Sequence, residues 1–314
     1  MPNVHETEHQ PTTAEDGPLR HARDDDITAR IYDEEQASQY LEKQNESDTT
    51  IDIDPDLITW NGPEDKKNPQ TWSFARKVFI TAIWIYGNLA TCIASSIWSS
   101  GIDVIRKEFH VSSLIVALGV SLFLLGYTIA PPLWGPLSER IGRKKPMLLG
   151  MTLFTIFCVP VAVGQNIQTI LVGRFFQGVF GSAPLSLAGG GMVDIWNPSQ
   201  RGIAIVVCIG AIFGSPILAP LIGNFVVASH LGWRWTHWIS CIMGGSCVIL
   251  VFFCLPETLG VAILRSRAAK LRKSGKPNAR SEFDGSPQSL ATVIRTYLVR
   301  PFGMFALVLQ ASQS

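Results

Sequence analysis

A single arginine lies inside an otherwise apolar stretch of the chain. Arg174 falls within residues 169–192, where burying a cation in a bilayer costs about 2.5–3.5 kcal/mol on insertion scales. Gln177 and Gly178 follow at the helical spacings i+3 and i+4, so a polar group and a point of close helix approach share nearly the same face. Because of this cost, Arg174 is expected to face the protein interior rather than lipid. The alternative is that Arg174 snorkels to the boundary near the short loop 165–168.

A second cluster of polar residues, at positions 135–145, lies between the apolar stretches 113–133 and 146–163. Its glycines relieve crowding where the chain reverses, which predicts a very short turn between two membrane helices. Glu139 lies beside Arg140 and Arg143, and these side chains can form a local ion-pair network whose partners change when neighbouring helices move. A positively charged topology anchor is the simpler interpretation.

The apolar stretch 203–228 combines small residues with two prolines. The small residues form two rows with a spacing of four, first Gly210 and Gly214, then Ser215, Ala219 and Gly223. Such rows provide surfaces on which another helix packs closely. Pro216 and Pro220 each remove a backbone donor, which predicts a kink. A generic packing face accounts for the glycines but less well for two prolines one turn apart.

The sequence offers no pattern typical of an enzyme. Zinc-ligand spacings, phosphate loops and Ser/His/Asp arrangements are absent, and the six cysteines are interpreted as small apolar filler. We therefore predict a protein that is not an enzyme and that has no metal and no cofactor. In the first apolar stretch, Asn88, Thr91 and Ser95 are weak candidates to line a substrate cavity, because helix packing is the commoner use of such residues.

Six long apolar stretches must position these groups, and each has about the length that a bilayer-spanning helix needs. They cover residues 78–97, 113–133, 146–163, 169–192, 203–228 and 235–255. A soluble two-domain enzyme would mix charged and apolar residues throughout, so that class is excluded.

The charges of the chain are strongly segregated. The totals of 26 Lys and Arg against 25 Asp and Glu hide a net charge of −10 in residues 1–77 and +11 in the remainder. The even-numbered connections between the stretches carry 14 Lys and Arg, against 3 in the odd-numbered ones. Because basic loops stay in the cytoplasm, the even connections and the N-terminal tail are predicted to be cytoplasmic.

Four regions are predicted along the chain. They are a disordered acidic cytoplasmic tail (1–66), a six-span body (67–255), a basic cytoplasmic linker (256–300) and an incomplete seventh span (301–314). Within the linker, residues 259–273 are interpreted as an amphipathic basic helix along the membrane interface, near anionic lipid.

The cluster at 135–145 resembles the loop signature of the major facilitator superfamily. The matching positions are Gly135, Leu137, Glu139, Arg140, Gly142, Arg143 and Lys144. The resemblance implies a cytoplasmic latch that pairs with the end of span four, where Asp194 is the matching acid, and with the opposite half. The stretch from Arg174 to Gly181 is similar to the superfamily's span-four motif, so the resemblance implies proton coupling at Arg174 with Gln177.

The proline-containing stretch is similar to the antiporter motif of the drug:proton members. The positions that match are Gly210, Gly214, Pro216, Pro220 and Gly223, whereas Ser215, Ala219 and Asn224 replace glycines. Further marks around Trp60, Trp233 and Glu257 narrow the resemblance to the fungal twelve-span drug and polyamine:proton antiporters. The implied fold is an all-α membrane protein, one six-span half of a major facilitator with a 3+3 inverted repeat, plus the start of a seventh span.

These observations favour proton-coupled export of small organic molecules, such as drugs, toxins or polyamines, by alternating access in the plasma membrane. The expected partners are the lipid bilayer, the substrate and protons, with no nucleic acid. Two alternatives stay open: a truncated, transport-incompetent half-transporter, and a non-transporting sensor or assembly protein. The sequence identifies neither the substrate nor the oligomeric state.

Overall fold

The apolar stretches form long helices in the computed structural model, which describes residues 57–60, 62 and 65–281. The predictions for most of the acidic tail, for the linker beyond residue 281 and for the run 301–314 lie outside the described residues.

Nearly all the regular structure is helical. In the described part of the chain the α-helices are α1 (Phe74–Ser96), α2 (Ile102–Phe109), α3 (Ser113–Ile129), α4 (Pro131–Ile141), α5 (Lys144–Val163), α6 (Ile167–Gly181), α7 (Ala183–Ile195), α8 (Pro198–Ala228), α9 (Arg234–Cys254) and α10 (Gly260–Lys273). Short 3-10 helices occupy Pro69–Thr71 and Ile97–Gly101, and two-residue strands β1 (Leu57–Ile58) and β2 (Arg280–Ser281) pair in parallel.

Within the part of the chain that the structure describes, five helical segments are long and apolar enough to cross a bilayer. They are Phe74–Phe109, Lys144–Val163, Ile167–Ile195, Pro198–Ala228 and Arg234–Cys254. The α3–α4 pair, bent by 40°, makes a sixth if it counts as one span. The six predicted stretches therefore each correspond to a helix or a helix pair.

The very short turn predicted between the second and third spans lies at the C-terminal end of the cluster at 135–145. α4 continues to Ile141, so only Gly142 and Arg143 separate it from α5. Proline fits the first turn of a helix, and Pro131 begins α4 after a break at Ala130. Gly142 reverses the chain with φ of +94°, a conformation that glycine adopts without steric cost.

The core is built from large side chains where several helices meet. α3 packs on α6, α5 on α9 and α1 on α8. Fully buried members of the largest cluster include Trp84 of α1, Met147 and Phe154 of α5 and Leu187 of α7. Arg174 of α6 lies where that helix meets α1 and α3.

The amphipathic helix predicted at 259–273 is present as α10. It buries Leu264 and Ala268, which are four residues apart and therefore share one face, whereas Lys270, Arg272 and Lys273 are exposed. The helix is thus held against the body by its narrow apolar face.

Candidate functional site

Arg174 is the centre of the first site. It lies midway along α6 and is fully buried, so the snorkelling alternative is wrong. Its guanidinium donates hydrogen bonds to four oxygens, namely Ala94 O at 2.8 Å, Ser95 O and Gln177 Oε1 at 3.1 Å, and Gly119 O at 3.2 Å. The side chain therefore ties α6 to α1 and α3.

The two acceptors on α1 lie where the α-helix passes into a 3-10 helix. α1 ends at Ser96 and continues as the 3-10 helix Ile97–Gly101. The last carbonyls of an α-helix lack intrahelical partners and carry partial negative charge, so Ala94 and Ser95 present a negative helix end to the guanidinium. Within residues 65–281 no carboxylate pairs with Arg174. Its charge is thus balanced by three backbone carbonyls and by the side-chain amide oxygen of Gln177.

Aromatic rings complete the surroundings of this charge. The guanidinium carbon lies 4.7 Å from the ring centre of Phe123 and 5.1 Å from that of Trp98, within the range of cation–π attraction. Gln177 in turn donates from Nε2 to Cys158 Sγ at 2.8 Å, so both ends of its amide are engaged. Sequence reasoning placed Arg174 and Gln177 together but did not find their partners.

The three cavity candidates on α1 bond mainly to their own helix. Asn88 Nδ2 donates to Trp84 O at 2.9 Å, Thr91 Oγ1 to Asn88 O at 3.1 Å and Ser95 Oγ to Cys92 O at 2.8 Å. In the described part of the chain the buried Oδ1 of Asn88 has no partner. Ser95 contributes to the arginine site through its backbone carbonyl, and a cavity-lining role for the three side chains stays a prediction.

A second site, which we call the latch, comprises Ser138, Arg143, Asp194 and Glu257. Arg143 Nε lies 3.0 Å from Asp194 Oδ2, and Arg143 Nη1 donates to Ser138 Oγ at 2.6 Å. Gly190 makes room for the guanidinium, since a Cβ there would stand 2.5 Å from Arg143 Nη2. The latch thus joins α4, α7 and the turn before α5.

Glu257 is the latch residue that sequence reasoning missed. Its carboxylate accepts four backbone N–H groups, from Arg143 at 2.7 Å, Thr258 and Leu259 at 3.1 Å and Lys144 at 3.3 Å. The first and last of these lie at the N-terminus of α5, and the other two directly precede α10. An anion at helix N-termini is stabilised by their free donors and dipoles, so one side chain holds two segments together.

The glycine and lysine of the turn support this arrangement. The missing side chain of Gly142 leaves the space that the Glu257 carboxylate occupies. Lys144 Nζ donates to Phe252 O at 2.9 Å, and Leu137 packs against the core. Gly135 has open space around it.

The predicted local network of Glu139 with Arg140 and Arg143 does not form. Glu139 and Arg140 are exposed and make no ion pair with any residue that the structure describes. The acid that Arg143 contacts is Asp194, as the resemblance implied, because α4 turns Glu139 outward while Arg143 follows the end of the helix.

Replacing Glu257 by Gln tests whether the four hydrogen bonds that its carboxylate accepts stabilise the protein. We expect a loss of about 1–2 kcal/mol of stability, since a neutral amide loses charge-assisted bonds and places an N–H₂ group against backbone donors. Faster hydrogen exchange at residues 143–145 and 258–260, together with a lower apparent melting temperature, would register this. Glu139→Gln is the matched control, and equal exchange in both variants would contradict the assignment.

The stretch with two prolines forms the unbroken helix α8. Its row of Ser215, Ala219 and Gly223 is buried against the remainder of the protein, whereas Gly210 and Gly214 have open space around them. Pro216 cannot donate to Ile212 O, and Ser215 Oγ donates to that oxygen instead at 2.9 Å. The serine that departs from the family's glycine therefore compensates for the proline.

A further cluster at the opposite end of the helices joins Glu108 to the start of α9. Glu108 accepts from Trp233 Nε1 at 2.6 Å and from Arg234 Nη1 at 2.5 Å. One turn further, His237 is fully buried against the rings of Trp98 and Trp233, and both its ring nitrogens lack partners among the described residues. Sequence reasoning noted His237 only as a residue at a span edge.

His237→Leu is expected to raise stability by about 1–2 kcal/mol. A buried polar atom without a hydrogen bond is costly, whereas an apolar side chain of similar volume removes that cost. The apparent melting temperature of the purified protein measures the change. Thr236→Val is the control, because Thr236 Oγ1 donates to Trp233 O at 2.6 Å and its loss should destabilise. A destabilised leucine variant would contradict the prediction.

The described residues contain no group of three or more His, Cys, Asp or Glu that could bind a metal ion. The sequence profile of the Major Facilitator Superfamily matches residues 83–313.

Two relatives and one solved structure extend the comparison. The MFS-type transporter oryN of Aspergillus oryzae is 62% identical over 251 residues, which are 80% of this chain and 50% of that protein. The efflux pump bik6 of Gibberella fujikuroi is 39% identical over 251 residues, 79% and 52% of the two chains. The inward-open xylose transporter XylE of E. coli shares the fold with a TM-score of 0.55 at 18% identity, over 70% of this chain and 56% of that one.

The chain spans about half the length of the curated relatives it matches.

Proposed function

The chain belongs to the major facilitator superfamily, and we propose that it forms part of a proton-coupled exporter of small organic molecules in the plasma membrane. In this proposal the latch faces the cytoplasm, as the distribution of Lys and Arg predicts. The observation that carries the proposal is Arg174, a fully buried cation that is held by carbonyl oxygens and by no carboxylate in the described residues.

The buried positive charge of Arg174 repels other cations that enter the protein interior. At an effective dielectric constant of about 20, two unit charges roughly 8 Å apart repel by about 2 kcal/mol. A proton and a cationic substrate that enter the space between the transporter halves would both experience this field. Because the two positive charges also repel each other when they occupy the same space, each weakens the binding of the other, which is the requirement for exchange rather than co-transport.

The acceptors of Arg174 also suggest how a change of charge becomes movement. Two of them belong to the end of α1 at its transition to a 3-10 helix, and a 3-10 segment within a spanning helix often marks a hinge. Weaker bonds from Arg174 would allow Ile97–Gly101 to shift against α8, where Ser100 Oγ donates to Pro220 O at 3.0 Å. The proposal assigns alternating access to this coupling.

The direction and the substrate class rest on the relatives. One related protein is named an efflux pump, and another is named the citrinin biosynthesis cluster MFS transporter mrr1 of Monascus ruber. These names favour export of small organic molecules made by the cell over uptake of nutrients.

Reconstituted protein tests the proposal. Proton flux is measured with a pH-sensitive dye in proteoliposomes while hydrophobic cations and polyketide-like compounds are added, with Arg174→Met as the inactive control. Two proteins are compared: the 314-residue chain and the longest reading frame that contains it. Flux that depends on substrate in either protein supports the proposal, and no flux in both would refute it.

The same comparison separates the alternatives. Flux in the longer protein alone would assign the 314-residue chain to the transport-incompetent class. A cellular role that survives Arg174→Met would instead favour a non-transporting sensor or assembly protein.

A further inference from the structure

We propose that a cavity beside the latch binds a multiply phosphorylated ligand, such as an inositol polyphosphate headgroup of a membrane lipid. The cavity has a volume of about 390 Å³, within the range of small-molecule sites. Its charged walls are Lys67, Lys144, Lys145, Glu257, Arg267 and Lys270. This inference does not depend on the proposed transport activity.

The cations of the cavity converge from three separate parts of the chain. Lys67 precedes the first 3-10 helix, Lys144 and Lys145 begin α5, and Arg267 and Lys270 lie one turn apart on α10. Groups so far apart in sequence are brought to one cavity by the docking of α10. Like charges held together in this way repel unless an anion lies between them.

The acidic groups nearby are already engaged. Asp65 Oδ2 lies 3.1 Å from Arg267 Nη1, and the Glu257 carboxylate accepts its four backbone N–H groups. By contrast, the ammonium groups of Lys67, Lys145 and Lys270 are exposed and have no ion pair with any described residue. The three ammonium groups therefore remain for an anionic ligand that carries several negative charges, as a bis- or trisphosphate does.

The remaining wall explains why a lipid headgroup fits. Ile141, Ala262 and Ile263 give the cavity an apolar side beside its cations. A phospholipid combines phosphates with a glycerol and acyl portion, and basic pockets at the ends of membrane helices are suited to such headgroups. A soluble inositol phosphate shares the phosphate chemistry but gains nothing from the apolar side.

A bound phosphate group would also act on the latch. Glu257 borders the cavity and fixes the start of α10 to the start of α5. An anion that bridges Lys145 of α5 and Lys270 of α10 holds the same two segments together from the other side. The ligand should therefore stabilise the docked position of α10.

A binding experiment on the purified full chain tests the site. The probes are dioctanoyl phosphatidylinositol 4,5-bisphosphate, inositol 1,4,5-trisphosphate, inorganic phosphate and dioctanoyl phosphatidylcholine. The variant Lys67→Gln/Lys145→Gln/Lys270→Gln is compared with Lys66→Gln/Lys273→Gln/Lys276→Gln, which removes the same charge from neighbouring positions that do not line the cavity. Saturable binding and the shift in apparent melting temperature are measured.

We expect saturable binding of the bisphosphate lipid, at least tenfold weaker in the cavity variant and within about twofold in the control variant. Tighter binding of the lipid than of inositol trisphosphate assigns the site to a headgroup, and equal binding assigns it to a soluble polyphosphate. Equal weakening in both triple variants, or no saturable binding by the wild-type protein, would overturn the proposal.

Discussion

Arg174→Lys is expected to abolish proton-dependent transport and to lower the stability of the protein by about 3 kcal/mol. Lysine keeps the positive charge in a fully buried position but replaces the planar fork of donors by one ammonium group. The four acceptors lie on three helices, at Ala94 and Ser95, at Gly119 and at Gln177. An ammonium group cannot reach all of them, so a buried charge remains with too few partners.

A second variant separates stability from coupling. Arg174→Met removes the charge and fills a similar volume, so no unpaired cation stays in the interior, although the four acceptors lose their donor. We therefore expect this variant to be less destabilised than Arg174→Lys and yet to show no substrate-dependent proton flux. The measurements are the apparent melting temperature and the dye assay in proteoliposomes.

The control for both variants is Arg106→Gln, which removes an exposed cation at the end opposite to the latch. It should change neither stability nor flux. Wild-type melting of the lysine variant would show that the carbonyl contacts contribute little, and flux by the methionine variant would refute proton coupling through Arg174.

The burial of Arg174 was predictable from sequence, whereas its partners were not. A charged side chain that faces lipid has a high free-energy cost, so an arginine in a long apolar stretch is expected to face the protein interior. Two of its four acceptors, however, are the backbone carbonyls of Ala94 and Ser95, which lie where α1 passes into the 3-10 helix Ile97–Gly101. No residue type in the sequence indicates this change from an α-helix to a 3-10 helix, because the change depends on how α1 packs against α6 and α8.

In the latch, too, one partner of Arg143 could be predicted from the sequence and another could not. Asp194 carries a charge at the end of an apolar stretch, so a motif with arginines suggests it as a partner. Glu257 lies 114 residues after Arg143 and bonds to backbone N–H groups, which every residue except proline has. Sequence patterns contain nothing that selects such a partner. The extent of α4 was missed for a related reason, since glycine and proline at 135 and 136 indicate a break in water-soluble helices but are tolerated in membrane ones.

Glycines that have similar surroundings in the sequence differ in how closely neighbouring helices approach them in the structure. Gly178 lies against the backbone of Phe123, so α3 and α6 are in direct backbone contact there. Gly126 faces the same interface from α3, where a Cβ would stand 2.9 Å from Val179 N. Gly214 of the antiporter-like row has nothing within 4 Å of the position of a Cβ. Only the packing of the helices distinguishes these positions.

Gly178→Ala is accordingly expected to cost about 3 kcal/mol or to prevent folding, because the new methyl group would collide with the carbonyl oxygen of Phe123. Backbone atoms cannot rotate away as a side-chain end can, so α3 must separate from α6. That separation also pulls Gly119 O away from Arg174, and the two losses occur together. The yield of monodisperse protein and its apparent melting temperature report the effect.

Gly214→Ala is the matched control, since it adds the same methyl group to a spanning helix at an open position. It should fold as the wild-type protein does, and alanine favours the helix slightly over glycine. If its stability fell as far as that of Gly178→Ala, the small-residue row of α8 would be packed against a surface beyond the described residues. If it folded normally but lost transport, the Gly210–Gly214 row would serve the moving interface that the antiporter motif implies, while Gly178 would serve the static contact that holds Arg174 in place.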